Sequence, residues 1–477
     1  MSLQMKYFLV PFIVIVFSLS LVRGHAQLRL PAIISSGMVL QQNDSVSLWG
    51  WANPGGTVRV TPAWSNRTDT AIVGSGARWK IKIKTPAAGG PFTIKLVSAG
   101  STLQLENIMI GEVWVCSGQS NMEWSYNNGE KDTRTELASC ATNNIHFFQV
   151  PKTTADAPQD DVKAQWVSCD SNTLKSFSAI GYFFGKELQH QLNVPIGLIN
   201  SSWGGTPAEV WTPENLVTDE TTLKAAAAKL EPAAWWPHEP GYTYNAMIAP
   251  ITRFSIAGAI WYQGEGNTKT ADTYQKLFTT MIEGWRTAWK KPFPFYYVQI
   301  APYKYGNKNI GALLQEAQTK TMTHPNVGMV LTTDLTDSVT NIHPSHKREV
   351  GNRLARLALA QTYKQQQAAG YRYPAFESAQ PRGSSLVLSF TNANGGLQSK
   401  EKPVKGFYIS GANENWLPAD VKLEKDKIIL SNKEIKQPLY IRYGFGNTET
   451  ATLFSSEGLP LIPFRTDNWP VDQSVVK

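Results

Sequence analysis

Only three of the 477 residues are cysteine (Cys116, Cys140 and Cys169), too few for the dense disulfide framework of a small secreted scaffold. Charged residues make up 17% of the chain, and neither an internal repeat nor a low-complexity tract interrupts it. Disordered, collagenous and coiled-coil classes are thereby excluded. Beyond Val22 no apolar run approaches the roughly 20 residues that cross a bilayer. Lys and Arg outnumber Asp and Glu by 45 to 37, a formal charge of +8, yet the basic residues are scattered rather than gathered in a run. No nucleic-acid partner is expected from that pattern. What is abundant is core material: 42% hydrophobic and 11% aromatic residues, ample for two or three domains.

Residues 1–26 read as a secretory signal. Lys6 supplies the positive start, Tyr7 to Val22 is an almost continuous apolar run, and Gly24-His25-Ala26 offers the small residues that a signal peptidase reads. Pro11 inside the run and the polar sequence after it favour cleavage over a membrane anchor. Cleavage removes Lys6 and Arg23, leaving a mature charge of +6 and no membrane span. Export to a periplasmic or extracellular space is expected. In such an oxidising space Cys140 and Cys169, which flank a polar, loop-like stretch, are candidates for a disulfide, whereas Cys116 in an apolar run reads as a small buried side chain.

Three regions follow. Residues 27–107 alternate with period two in short runs such as Val46–Gly50, Val58–Thr61 and Trp79–Lys84, punctuated by Pro54-Gly55-Gly56 and Gly89-Gly90-Pro91. This predicts an all-β module. Residues 108–370 alternate apolar runs (Ile108–Ile110, Val113–Val115, Ile196–Ile199, Ala257–Tyr262, Phe295–Ile300, Val327–Leu331) with helix-like segments at Tyr182–Leu192, Tyr274–Lys290, Gly311–Thr323 and His346–Lys364. Strand and helix in repetition predict an α/β fold, a parallel sheet covered on both faces. Residues 371–477 return to a β pattern, for example at Ser385–Phe390 and Lys427–Leu430.

In an open parallel sheet, ligands bind beyond the carboxyl ends of the strands. Three polar clusters follow such strands: Cys116-Ser-Gly-Gln-Ser120-Asn-Met-Glu, Asn200-Ser-Ser-Trp-Gly204-Gly205-Thr206 and Gln263-Gly264-Glu265-Gly266-Asn267. A serine in a glycine-containing turn is a nucleophile position, and paired glycines present backbone N–H groups to an anion. A serine nucleophile needs a base. His343, in Thr340-Asn-Ile-His343-Pro-Ser-His346, is the histidine that follows a strand end on the same edge of the sheet. His343 and His346, with Glu349 behind, are a weak metal set: Pro344 breaks their register and no cysteine or acidic cluster completes a shell. Neither a metal nor another cofactor is expected. Trp235-Trp236 lie in an irregular insertion, where exposed aromatics would suit a sugar ring.

These clusters resemble those of the sialate O-acetylesterases, carbohydrate esterases of the SGNH-hydrolase superfamily. The matching stretches are Gly111–Met122, Ser202–Trp211, Trp261–Asn267 and Ile342–Leu354, together with Leu30-Pro, Met38–Gln42 and Glu457–Trp469, so the likeness spans nearly the whole mature chain. It implies a flavodoxin-like three-layer hydrolase core flanked by N- and C-terminal β modules, with acetylated sialic acid as substrate. Ser120 would be the nucleophile and His343 the general base. The oxyanion hole would be the N–H groups of Ser120 and Gly205 with a side-chain amide, Gln263 first and Asn267 second. Where many superfamily members place an aspartate before the histidine, this chain has Asn341 and Thr340. Asn341, or Asp334 or Asp337 from further back, would then orient the imidazole, or the enzyme runs as a Ser-His dyad. Trp124, Trp203, Trp211, Trp261 and Tyr262 are the candidate sugar walls. Two alternatives stand beside this reading: an acetylesterase on another polysaccharide such as acetylxylan, and a non-catalytic carbohydrate-binding protein.

Overall fold

The computed structural model describes residues 27–476 apart from residues 66, 366–369 and 426, and leaves the side chains of residues 142 and 143 undescribed. The segment read as a signal peptide lies outside the described residues.

A seven-strand path forms the centre, in the order Val327–Val330, Phe295–Val298, Gly258–Tyr262, Ser101–Gly118, Ile196–Ser202, Thr142–Gln149 and Trp166–Cys169. The first six are mutually parallel and the last pairs antiparallel at the edge. Near-continuous apolar runs suit this arrangement because both faces are covered. Cys116 pairs in register with Ile260 and Ser117 with Trp261, so successive residues face opposite helix layers. On one side Gly181, in the helix Ala179–Leu192, comes close to Cys116 Sγ, where a side chain would not fit easily. On the other, Trp261 packs edge-on against Trp285 of the helix Ala271–Trp289. Ile310–Thr321 lies against Ala271–Trp289, and Lys347–Gln361 against Ala179–Leu192. The result is a three-layer α/β core.

Two expected strands, Ile108–Ile110 and Val113–Val115, are one. A single strand runs from Ser101 to Gly118, pairing antiparallel with Gly89–Ser98 in its first half and with the parallel sheet in its second. Gly111-Glu112, between the two runs, continues the strand. A side chain at residue 111 would collide with the Pro195 carbonyl, and the buried Glu112 carboxylate accepts from Gln41 Nε2 (2.9 Å), Gln42 Nε2 (2.7 Å) and the Tyr363 hydroxyl (2.8 Å). The stretch between Cys140 and Cys169, expected to be loop-like, carries the strands Thr142–Gln149 and Trp166–Cys169. The two cysteines are buried free thiols rather than a disulfide, and the Cys140 thiol donates to the Leu137 carbonyl.

The N-terminal strands share one apolar core with the parallel sheet: Val46, Leu48 and Trp79 belong to the same cluster as Val113 and Ile199. The C-terminal strands enclose a core of their own around Leu388, Ile409, Leu430 and Ile441. Polar contacts join that unit to the α/β core, among them the Arg465–Glu316 ion pair at 2.9 Å and the bond from Gly311 N to Asn447 Oδ1 at 2.9 Å. Among the described residues no helix is long and apolar enough to cross a membrane.

Candidate active site

The strand ends at Gly118, Ser202 and Tyr262 meet on one edge of the sheet. Gly118 has φ +134°, and a Cβ there would stand 2.2 Å from the Tyr262 carbonyl oxygen, so only glycine lets the chain leave the sheet at this point. The Gln119 N–H donates to that carbonyl (3.0 Å), and Gln119 Oε1 accepts from the Gly264 and Gly266 N–H groups, both at 3.2 Å. Ser120 then opens a single helical turn, Ser120–Glu123.

His343 reaches the serine from the loop before the helix Lys347–Gln361, and its Nε2 lies 2.9 Å from Ser120 Oγ. The imidazole lies flat against Trp124, with ring centroids 4.0 Å apart and an interplanar angle of 22°. Burial, and then the Lys347 ammonium, pull its pKa down to about 4. The ring is therefore neutral at physiological pH and free to accept a proton.

None of the three expected orienting groups touches the imidazole. Asn341 closes on the backbone of His343 instead, accepting from its N–H (3.0 Å) and donating to its carbonyl (2.9 Å). Asp334 forms a two-pronged pair with Arg353 (2.8 and 2.6 Å), which a buried guanidinium requires. Asp337 is taken by His346 Nδ1 (2.8 Å) and the Ser345 N–H (2.7 Å). Among the described residues no carboxylate is hydrogen-bonded to His343, and the stacked indole is what holds the ring.

The paired glycines lie against Ser120. A Cβ on Gly204 would be 3.3 Å from Ser120 Cβ, and the Gly204 N–H donates to Glu123 Oε2 at 2.6 Å. Glu123 also pairs with Lys152, so one carboxylate fastens the glycine loop to the serine turn. Gly205 has φ +84°, and a Cβ there would sit 2.3 Å from the Trp236 ring. The Trp235-Trp236 insertion thus folds back over the glycine loop, secured by a bond from Trp203 Nε1 to the Trp235 carbonyl (3.0 Å).

Gln263 and Asn267 face away from this edge. Gln263 Nε2 donates to the Thr206 carbonyl (3.2 Å) and to Asn267 Oδ1 (2.8 Å), while its Oε1 accepts from the Tyr274 hydroxyl (2.9 Å). Asn267 Nδ2 donates to Glu209 Oε2 (2.8 Å) and weakly to Thr270 Oγ1 (3.3 Å), and its Oδ1 also accepts from the Ala208 N–H (2.8 Å). Both side chains are fully buried, and burial raises the Glu209 carboxyl above its ordinary range. Their N–H groups are spent on bracing the loops, which removes both amides as oxyanion donors.

The expected sugar walls divide likewise. Trp211, Trp261 and Tyr262 are completely buried. They belong to the core beneath the site, where Trp211 packs edge-on to Trp261. Trp124 and Trp203 are half-buried at the edge, and Trp235 is 72% exposed. Sequence reasoning missed Glu123, Asn121, Glu265 and Lys347. All lie inside the matching motifs or next to them, but nothing in their types announces burial. Among the described residues no group of three His, Cys, Asp or Glu side chains is placed to share a metal ion.

A sequence profile for the family described as "Carbohydrate esterase, sialic acid-specific acetylesterase" matches residues 110–360, which hold all of these groups. Over 443 residues the chain is 30% identical to a sialate O-acetylesterase of Pongo abelii and 29% identical to that of Homo sapiens, with 82% of each chain covered in both cases. A carbohydrate acetylesterase from Xanthomonas citri has the same fold, with a TM-score of 0.84 and 32% identity, over 93% of this chain and all of that one.

Proposed function

The chain belongs to the sialic acid-specific acetylesterase family of carbohydrate esterases, and from that premise we propose that it is a serine esterase working by an acyl-enzyme route. The observation that carries this reading is the 2.9 Å contact between Ser120 Oγ and His343 Nε2. His343 takes the hydroxyl proton as Ser120 attacks the acetyl carbonyl, and the tetrahedral oxyanion forms beside the glycine loop. The N–H groups of Ser120 and Gly205 have no other partner among the described residues, which supports them as its donors. Collapse expels the sugar alcohol, which takes the proton from His343. Water, deprotonated by the same imidazole, then releases acetate. Every step is served by the dyad, and no metal is called for.

Acetylated sialic acid, with the ester at O9, is the proposed substrate, and the names of the curated relatives support it. The bacterial structural relative is described only as a carbohydrate acetylesterase, so a neutral acetylated polysaccharide is the second reading. Trp124, Trp203 and Trp236 would form the walls in either case. Export is proposed on the strength of the apolar run and small-residue exit in residues 1–26. Ser120→Ala should lower p-nitrophenyl acetate hydrolysis by about 10³-fold or more. Retained hydrolysis would overturn Ser120 as the nucleophile, and no hydrolysis by the unsubstituted chain would leave the carbohydrate-binding alternative. Competition between 9-O-acetyl sialic acid and acetylxylan decides the sugar: a higher kcat/KM on acetylxylan overturns the sialate assignment.

A further inference from the structure

Two side chains directly behind the dyad have no part in the reaction just described. Asn121 follows the nucleophile, Lys347 opens the helix after His343, and both are buried, at 0% and 1% exposure. Lys347 Nζ donates to Asn121 Oδ1 at 2.5 Å. The other end of the amide donates to Glu265 Oε1 (2.8 Å) and to the carbonyl of Ile342 (3.1 Å), the residue before His343. One side chain therefore ties the serine turn to the histidine loop.

We propose that Asn121 and Lys347 are positioning residues: the ammonium fixes the orientation of the amide, and the amide clamps Ser120 to His343, the alignment that a carboxylate supplies in a catalytic triad. This rests on the Ser120–His343 reaction proposed above. The amide has no second way to sit. Turned over, its NH₂ would face an ammonium and its oxygen would face a carboxylate and a carbonyl, every contact repulsive. Burying an ammonium is costly, and here no ion pair offsets it among the described residues. Glu265 from the third strand-end loop, Glu130 and Asp132 from the segment after the serine turn, and Asp337 from the histidine loop face it at longer range. Glu265 Oε2 is itself buried without a partner. Burial lowers the Lys347 pKa to about 8, so it remains mostly charged at neutral pH.

The clamp has two separable consequences. Losing the bridge loosens the Ser120–His343 geometry. Losing the ammonium also removes a positive charge that disfavours imidazolium, so His343 takes a proton at higher pH. The test uses the purified full chain and its Lys347→Gln, Lys347→Met, Lys347→Arg and Asn121→Ala variants, assayed on p-nitrophenyl acetate across pH. We expect kcat to fall about 10- to 100-fold in Asn121→Ala and in both uncharged Lys347 variants, with KM within about two-fold. The acid limb of kcat/KM should move to higher pH in Lys347→Gln and Lys347→Met, but not in Lys347→Arg or Asn121→Ala. A wild-type kcat in Asn121→Ala, or an unmoved limb in Lys347→Gln, overturns the proposal. Should Lys347→Met fail to fold, Lys347→Gln, which keeps an N–H donor, and Asn121→Ala decide. Ser120→Ala run in parallel separates the two readings. If it retains hydrolysis, the dyad reading is wrong; if it is inactive while the clamp variants behave as wild type, only the clamp is wrong.

Discussion

At the carboxyl edge of the sheet stand two polar groups built on opposite terms. Ser120 and His343 are half-buried, joined to each other by one hydrogen bond, with the imidazole otherwise held by a tryptophan face. A strand away, Gln263, Asn267 and Glu209 are wholly buried, and every amide N–H has a protein acceptor. The first arrangement leaves lone pairs and protons free to be exchanged with a ligand. The second spends every amide proton in holding three loops together. Residue types at a strand end are therefore poor guides to role: amides whose protons are all committed brace loops, whereas the Ser120–His343 pair keeps capacity for a ligand.

Substitutions should cut the two groups apart. The largest effect is expected from His343→Ala, which should lower kcat/KM on p-nitrophenyl acetate by about 10³-fold or more while leaving the melting temperature within about 2 °C. A large drop in melting temperature would show that the dyad is scaffolding as well. Asn267→Ala should do the reverse. It removes the side-chain donor to the buried Glu209 carboxylate and one of the two acceptors of Gln263 Nε2, so urea denaturation should show a loss of about 2–4 kcal/mol, with kcat per folded molecule changed far less. Equal losses in kcat and stability would erase the distinction.

The pH profile sharpens the contrast further. With the imidazole pKa near 4, kcat/KM should stay level from neutral pH to about 5 and fall only below that. The sign for stability follows from linkage. The folded pKa lies below the ordinary 6.5, so the unfolded chain binds the proton first, and stability falls as pH drops from about 6.5 to 4. His343→Ala should flatten that part of the stability curve. At the substrate side, Trp236→Ala should raise KM for an acetylated sugar about 3- to 10-fold while sparing p-nitrophenyl acetate, as loss of one aromatic face implies. The smallest change is expected from Asp337→Asn: kcat within about two-fold, against the roughly 10⁴-fold that an orienting carboxylate can be worth.

Much of this was legible in the sequence. The apolar runs Ile196–Ile199 and Ala257–Tyr262 marked buried parallel strands because they are apolar on both faces, and the polar clusters after them marked the edge where they end. Ser120 and His343 stand out through the family resemblance added to their strand-end positions; position alone leaves Ser120 an ordinary loop serine. The third member could not. Asp334 and Asp337 are spaced as plausibly as any orienting acid, and only the fold reveals that Arg353 and His346 have claimed them. The tryptophans mislead for a related reason. Trp261 and Trp203 both adjoin strand-end motifs, yet the pleat turns Trp261 into the helix layer, while Trp203 stands beyond its strand at the open edge. Lys347 was hidden most completely, since a lysine at the start of a helix ordinarily reads as solvated.

The strand Ser101–Gly118 also acts as a ruler. Its 18 residues span roughly 60 Å at about 3.3 Å each, with one end hydrogen-bonded into the N-terminal β region and the other ending two residues before Ser120. A single residue inserted or deleted between Leu103 and Asn107 would have to be absorbed there as a bulge. Otherwise it would be carried along the strand, turning Glu112 away from its three donors and shifting the turn that holds Ser120. Length in this strand therefore sets a position at its far end: the N-terminal strands fix where Ser120 stands.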